Sequence, residues 1–108
     1  MKTFKTLMDE MNEIDDLEEL EAAADLFQYG IEKGYYSIRE SDEFNHVYWD
    51  VKNRCLACKI AKKIKRNTLD VISIVKGAPV SIKNDEEELT NYINGRIKAL
   101  RGKIGGLK

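Results

Sequence analysis

Apolar residues recur along the first third of the chain in two helical phases. Phe4, Leu7, Met8, Met11 and Ile14 form one stripe; Leu17, Leu20, Ala24, Phe27 and Ile31, spaced 3, 4, 3 and 4, form another. On one ideal helix, turning about 100° per residue, the stripes face opposite sides and neither buries well. The pattern therefore predicts two helices, about 3–13 and 16–32. Between them lies Asp15-Asp16-Leu17-Glu18-Glu19, where Asp15 offers a cap with Glu18 three residues on. Gly34 is placed to stop the second helix in a left-handed conformation.

Tyr35-Tyr36-Ser37-Ile38-Arg39 is aromatic and β-branched, as an extended linker or brief strand would be. Two starts then compete for a third helix: the capping box Ser37-Ile38-Arg39-Glu40, and Ser41 followed by Asp42 and Glu43. The start falls at 38–42 and the helix runs to about Arg66. It carries one stripe of Phe44, Val47, Tyr48, Val51, Cys55 and Cys58, and another of Leu56, Ala57, Ile60, Ala61 and Ile64 on its far side. A helix apolar on two sides suits the centre of a small domain.

The composition shifts after Leu69. Val71, Ile72, Ile74, Val75, Val80 and Ile82 are β-branched, and Lys76-Gly77-Ala78-Pro79 is a turn signal between them. A hairpin pairing about 69–75 with 80–83 is the expectation, with a short helix at 68–76 as its competitor. Asn84-Asp85-Glu86-Glu87 then caps a last helix with a stripe of Leu89, Tyr92, Ile93, Ile97 and Leu100, stopped at Gly102. These elements define a mainly α fold: a single domain over residues 1–102 with about four helices, a short β-hairpin before the last, and a flexible basic tail at 103–108.

Composition agrees with one small domain. The 108 residues are 43% hydrophobic and 34% charged, enough to build a core and cover it. Two cysteines make no disulfide framework and fit a reducing compartment. Asp9 and Glu10 interrupt the start before a signal-peptide stretch develops, and no apolar run reaches the roughly 18 residues of a membrane span. A cytoplasmic protein without a membrane partner is expected.

The net charge of −1 hides a polarised chain. Residues 1–50 hold 14 acidic and 4 basic side chains; residues 51–108 hold 5 acidic and 14 basic. Such a split points to an electrostatic partner for one half, unless the halves simply neutralise each other.

Little catalytic equipment is in view. Cys55-Leu56-Ala57-Cys58 is the sole CxxC, with neither a second pair for structural zinc nor the strand-to-helix setting of a redox motif. Both thiols read as buried small hydrophobes. His46 lacks a local nucleophile and orienting carboxylate, and the glycines form no phosphate loop. No enzyme, metal or cofactor is expected.

The segment 52–66 holds seven basic residues and no acidic one. On a helix Lys52, Lys59, Lys63 and Arg66 align as a ridge, flanked by Arg54, Lys62 and Lys65. Such a ridge can neutralise successive phosphates, helped by Arg96 and Lys103. Asn53, Asn67, Tyr35 and Tyr36 could add polar or stacking contacts. The expected function is a non-enzymatic regulatory or accessory protein that binds nucleic acid or a nucleic-acid-handling complex. The alternative is a protein-interaction module or inhibitor, whose acidic Asp15, Asp16, Glu18, Glu19, Glu21 and Asp25 would meet a basic protein surface.

Overall fold

The computed structural model describes residues 2–105, with side chains through residue 100. Six helices follow one another: α1 (Phe4–Asn12), α2 (Leu17–Glu32), α3 (Ile38–Ile64), α4 (Thr68–Gly77), α5 (Val80–Lys83) and α6 (Glu86–Gly105). The chain divides into two compact units, Met1–Cys55 and Leu56–Lys108, with the boundary inside α3. The two stripes of α3 divide there too, apart from Cys58, which falls in the second unit. Phe44, Val51 and Cys55 are buried in the first unit, and Leu56, Ala57, Ile60 and Ala61 in the second.

In the first unit the break between α1 and α2 is real, and its cap sits one residue later than expected. Asp16, not Asp15, accepts the Glu18 N–H at 3.0 Å. Thr3 caps α1 in the same way. Gly34, at φ +77°, ends α2 in a Schellman motif: Tyr35 N–H bonds the Gly30 carbonyl at 2.8 Å and Gly34 N–H that of Ile31 at 3.1 Å. That turn brings Tyr36 back over Gly30, so closely that any Cβ on Gly30 would run into the ring. Tyr36 also stacks on Phe27 (5.3 Å between centroids) and donates its hydroxyl to the Lys2 carbonyl at 2.6 Å. Phe27 in turn lies flat on Phe44, 4.0 Å away. Leu7, Met8, Met11 and Leu20 complete this core.

Of the two competing starts of α3, the Ser37–Glu40 box is used: Glu40 N–H donates to Ser37 Oγ at 3.3 Å, and Glu40 Oε1 accepts the Ser37 N–H at 2.8 Å. The far end has a different stop. Lys65 adopts φ +57°, while Arg66 N–H reaches the Ala61 carbonyl at 2.9 Å. A lysine thus fills the left-handed position that glycine usually takes.

The expected hairpin is absent: residues 68–83 form α4 and α5, and no strand occurs among the described residues. This is also why six helices replace four. Asn67 caps α4, accepting the Leu69 N–H at 2.9 Å, with Asp70 in the first turn and Lys76 in the last. Val71 and Val75, four apart, are completely buried. A β-branched residue costs a helix only a few tenths of a kcal/mol, so burial of this face decides the outcome. Pro79 forces Ala78 into extended backbone (ψ 148°), which ends α4, and then opens α5. Within α5 Val80 is exposed and Lys83 buried.

Asp85 caps α6 by accepting the Glu87 and Glu88 N–H groups at 3.0 and 3.2 Å, one residue beyond the expected Asn84. α4 and α5 pack on α6 around Leu89 and Ile93. The helix continues past Gly102 to Gly105, taking in residues 103–105 of the expected tail; residues 106–108 lie outside the described residues.

Candidate functional site

The cations of segment 52–66 have different fates on either side of the unit boundary. In the first unit, Lys52 is only 12% exposed. Its Nζ lies 3.9 Å from Glu21, 3.4 Å from the Tyr48 hydroxyl and 5.1 Å from the centre of the Trp49 ring. Arg54 donates to the carbonyls of Asn12 and Ile14 at 2.9 and 2.8 Å, tying α3 to the α1–α2 turn. Both side chains are committed to local structure. Asn53 is buried, and Asn67 is spent on its cap. Tyr36 is a core residue and Tyr35 an exposed one, both in the first unit.

In the second unit, Lys59 faces Glu86 at 3.2 Å, an exposed pair of small energetic weight. Lys62, Lys63, Lys65 and Arg66 are all exposed, and none has an ion-pair partner among the described residues. They occupy the last turn of α3 and the left-handed turn into α4. Arg96, on α6, is likewise exposed, with no ion-pair partner among the described residues. Lys103 lies within α6, but its side chain is outside the described residues. The ridge thus reduces to a cluster of four at one turn, with Arg96 on another helix of the same unit.

The acidic set is also sorted. Asp15, Asp16, Glu18, Glu19, Glu21 and Asp25 are exposed. Asp16 serves as the cap of α2, and Glu21 accepts the Tyr48 hydroxyl at 2.6 Å. Burial raises the Tyr48 phenol far above its usual value, and the hydrogen bond and charge of Glu21 push the same way. Asp15, Glu18, Glu19 and Asp25 make no ion pair among the described residues.

Cys55 is buried, with its Sγ 3.7 Å from the Ile14 carbonyl, whereas Cys58 is only half-buried; both are free thiols. His46, 81% exposed, lies 3.8 Å from Asp50 on the same helix. No group of three or more metal-binding side chains occurs among the described residues, and no described helix is long and apolar enough to cross a membrane.

The second unit also carries an apolar groove. Ile97 and Leu100, expected in the buried stripe of α6, instead line an open groove with Leu69 and Ile74 of α4. A β-branched run read as a strand offers α6 no helical second wall, so the groove is not announced by the sequence.

No protein-family model, curated protein or solved structure matches this chain.

Proposed function

We propose that the protein is a non-enzymatic accessory protein that binds nucleic acid through its second unit. The observation that carries this is the cluster Lys62, Lys63, Lys65 and Arg66, exposed at the α3–α4 turn with no ion-pair partner among the described residues. Four cations within five residues repel one another, and a polyanion relieves that repulsion while releasing its own counterions. Phosphate contacts of this kind position a protein without reading base sequence. Lys52 and Arg54 play no part, since their local partners hold them.

The test is a salt titration of duplex binding by fluorescence anisotropy. Four or five neutralised phosphates give a log–log slope of about −4, at about 0.9 per phosphate. Lys62→Glu with Lys63→Glu lowers affinity for all sequences alike, and Lys52→Gln leaves it unchanged. No binding to DNA or RNA at about 50 mM salt, where such contacts are strongest, would overturn the proposal.

A second reading rests on Asp15, Glu18, Glu19 and Asp25, which are exposed and unpaired in the first unit. They suit a basic surface on a partner protein. In that case nucleic acid is not bound, and Glu18→Lys with Glu19→Lys abolishes a protein complex.

A further inference from the structure

The groove between α4 and α6 is open and largely aliphatic. Leu69, Ile74, Ile97 and Leu100 line a volume of about 460 Å³, with Arg66 and Asp70 at its edge. Leu69 is 76% exposed and Leu100 49%, although α4 also carries the buried Val71 and Val75, and α6 the buried Leu89 and Ile93. Burying such surface is the main source of affinity for a helix laid in a groove. The charge of the unit that carries the groove says which helix. The second unit carries 12 basic side chains against 5 acidic ones, and Arg66, Lys65, Lys62 and Arg96 are exposed with no ion-pair partner among the described residues. A second copy of the same face would bring this positive charge against itself, whereas an acidic partner would be steered towards it.

We propose that the α4–α6 groove is a docking site for an acidic amphipathic helix of a partner protein, its apolar stripe lying between Leu69 and Leu100 and its carboxylates facing Arg66 and the neighbouring lysines. This surface is additional to the nucleic-acid function and does not depend on it. Arg66 borders both sites, so the two ligands compete in part.

The probe is a dye-labelled synthetic peptide of about 20 residues, with leucines at i, i+3, i+4 and i+7 and glutamates on the flanks. One control has the same composition scrambled; another has lysines in place of the glutamates. The full-length protein is expected to bind the acidic amphipathic peptide at least about tenfold more tightly than either control. Leu69→Gln with Leu100→Gln keeps the charge and replaces exposed residues, so the helical circular dichroism is expected to stay. That variant should lose at least about tenfold in peptide affinity, as expected when leucine burial is removed, while its affinity for duplex DNA is unchanged. Equal binding of the scrambled peptide would reduce the effect to attraction between charges and overturn the proposal. So would an unaffected double variant, or no binding by the wild-type protein. Self-association of the wild-type protein that the double variant abolishes would assign the groove to a second copy and equally overturn it. Failure of DNA binding alone touches only the nucleic-acid proposal.

Discussion

The two units share one helix yet use its charged residues in opposite ways. The first, with 14 acidic and 6 basic side chains, turns Lys52 and Arg54 of α3 inward onto a carboxylate, aromatic rings and two carbonyls. The second, with 5 acidic and 12 basic, leaves the cations at the end of α3 exposed and unpaired. Their cores differ as well. Stacked aromatic rings join leucines and methionines in the first, whereas the buried hydrophobic side chains on α3, α4 and α6 of the second are all aliphatic. The difference teaches that a basic stripe at helical spacing has no function in itself. What packs beside each cation decides whether it holds the fold together or remains free for a ligand.

The severest test of this division removes one core at a time. Phe27→Ala deletes the ring between Tyr36 and Phe44 and should cost about 3–5 kcal/mol, while Ile93→Ala should cost about 2–5 kcal/mol. Hydrogen exchange should then show protection lost mainly in α1 and α2 for the first variant, and in α4 and α6 for the second. Protection lost throughout by either would merge the two units into one cooperative structure.

Gly30→Ala comes next. The added methyl meets the Tyr36 ring, which Phe27 backs, so about 1–3 kcal/mol of stability should be lost. Tyr36→Ala in the same background should remove most of the clash penalty. If Gly30→Ala melts like the wild type, the return of Tyr36 onto α2 is not what closes the first unit.

Capping effects are smaller. Asp16→Ala should cost about 1 kcal/mol in chemical denaturation, and Asp15→Ala almost nothing, because only Asp16 accepts a helix N–H. Equal losses would return the cap to the position read from the sequence.

Lys65→Gly should raise stability by about 0.5–1 kcal/mol, since glycine takes the left-handed conformation without the Cβ conflict. It should also reduce the salt slope of DNA binding by about 0.9, one phosphate contact. A stabilised variant with an unaltered slope would remove Lys65 from the interface.

The subtlest effect is confined to alkaline solution. The Tyr48 phenol holds its proton more tightly when folded than at its usual pKa of 10.0. Stability from this group is complete below about pH 10 and declines as pH rises further towards the folded value. Tyr48→Phe should remove that decline; an identical pH profile would show that the Tyr48 phenol titrates no differently in the folded chain.

Much of this architecture was legible in the sequence because it depends on neighbours a few residues apart. The phase change at Ile14–Asp16, the Ser37–Glu40 box and the Gly34 stop each belong to a single turn of backbone, and each appears where expected or within one residue. The polarity of charge was equally plain. The separation of α3 into two stripes was visible too, although not its meaning as a boundary between units.

Other features required partners distant in the chain. Local propensity favoured strands at 69–75 and 80–83, but the weak β preference of valine and isoleucine yields once Val71 and Val75 are buried in a unit built on α6. Arg54 finds the Ile14 carbonyl 40 residues away, a contact that no spacing within α3 could announce. The open groove likewise exists only because α4 is a helix beside α6. The sequence by itself therefore determined the helical class, most helix ends and the sign of charge along the chain, all set by short-range hydrogen bonding and composition. Tertiary structure alone decided the state of residues 68–83, which cations remain free and where an apolar surface stays open, because burial and pairing depend on segments that meet only in the folded chain.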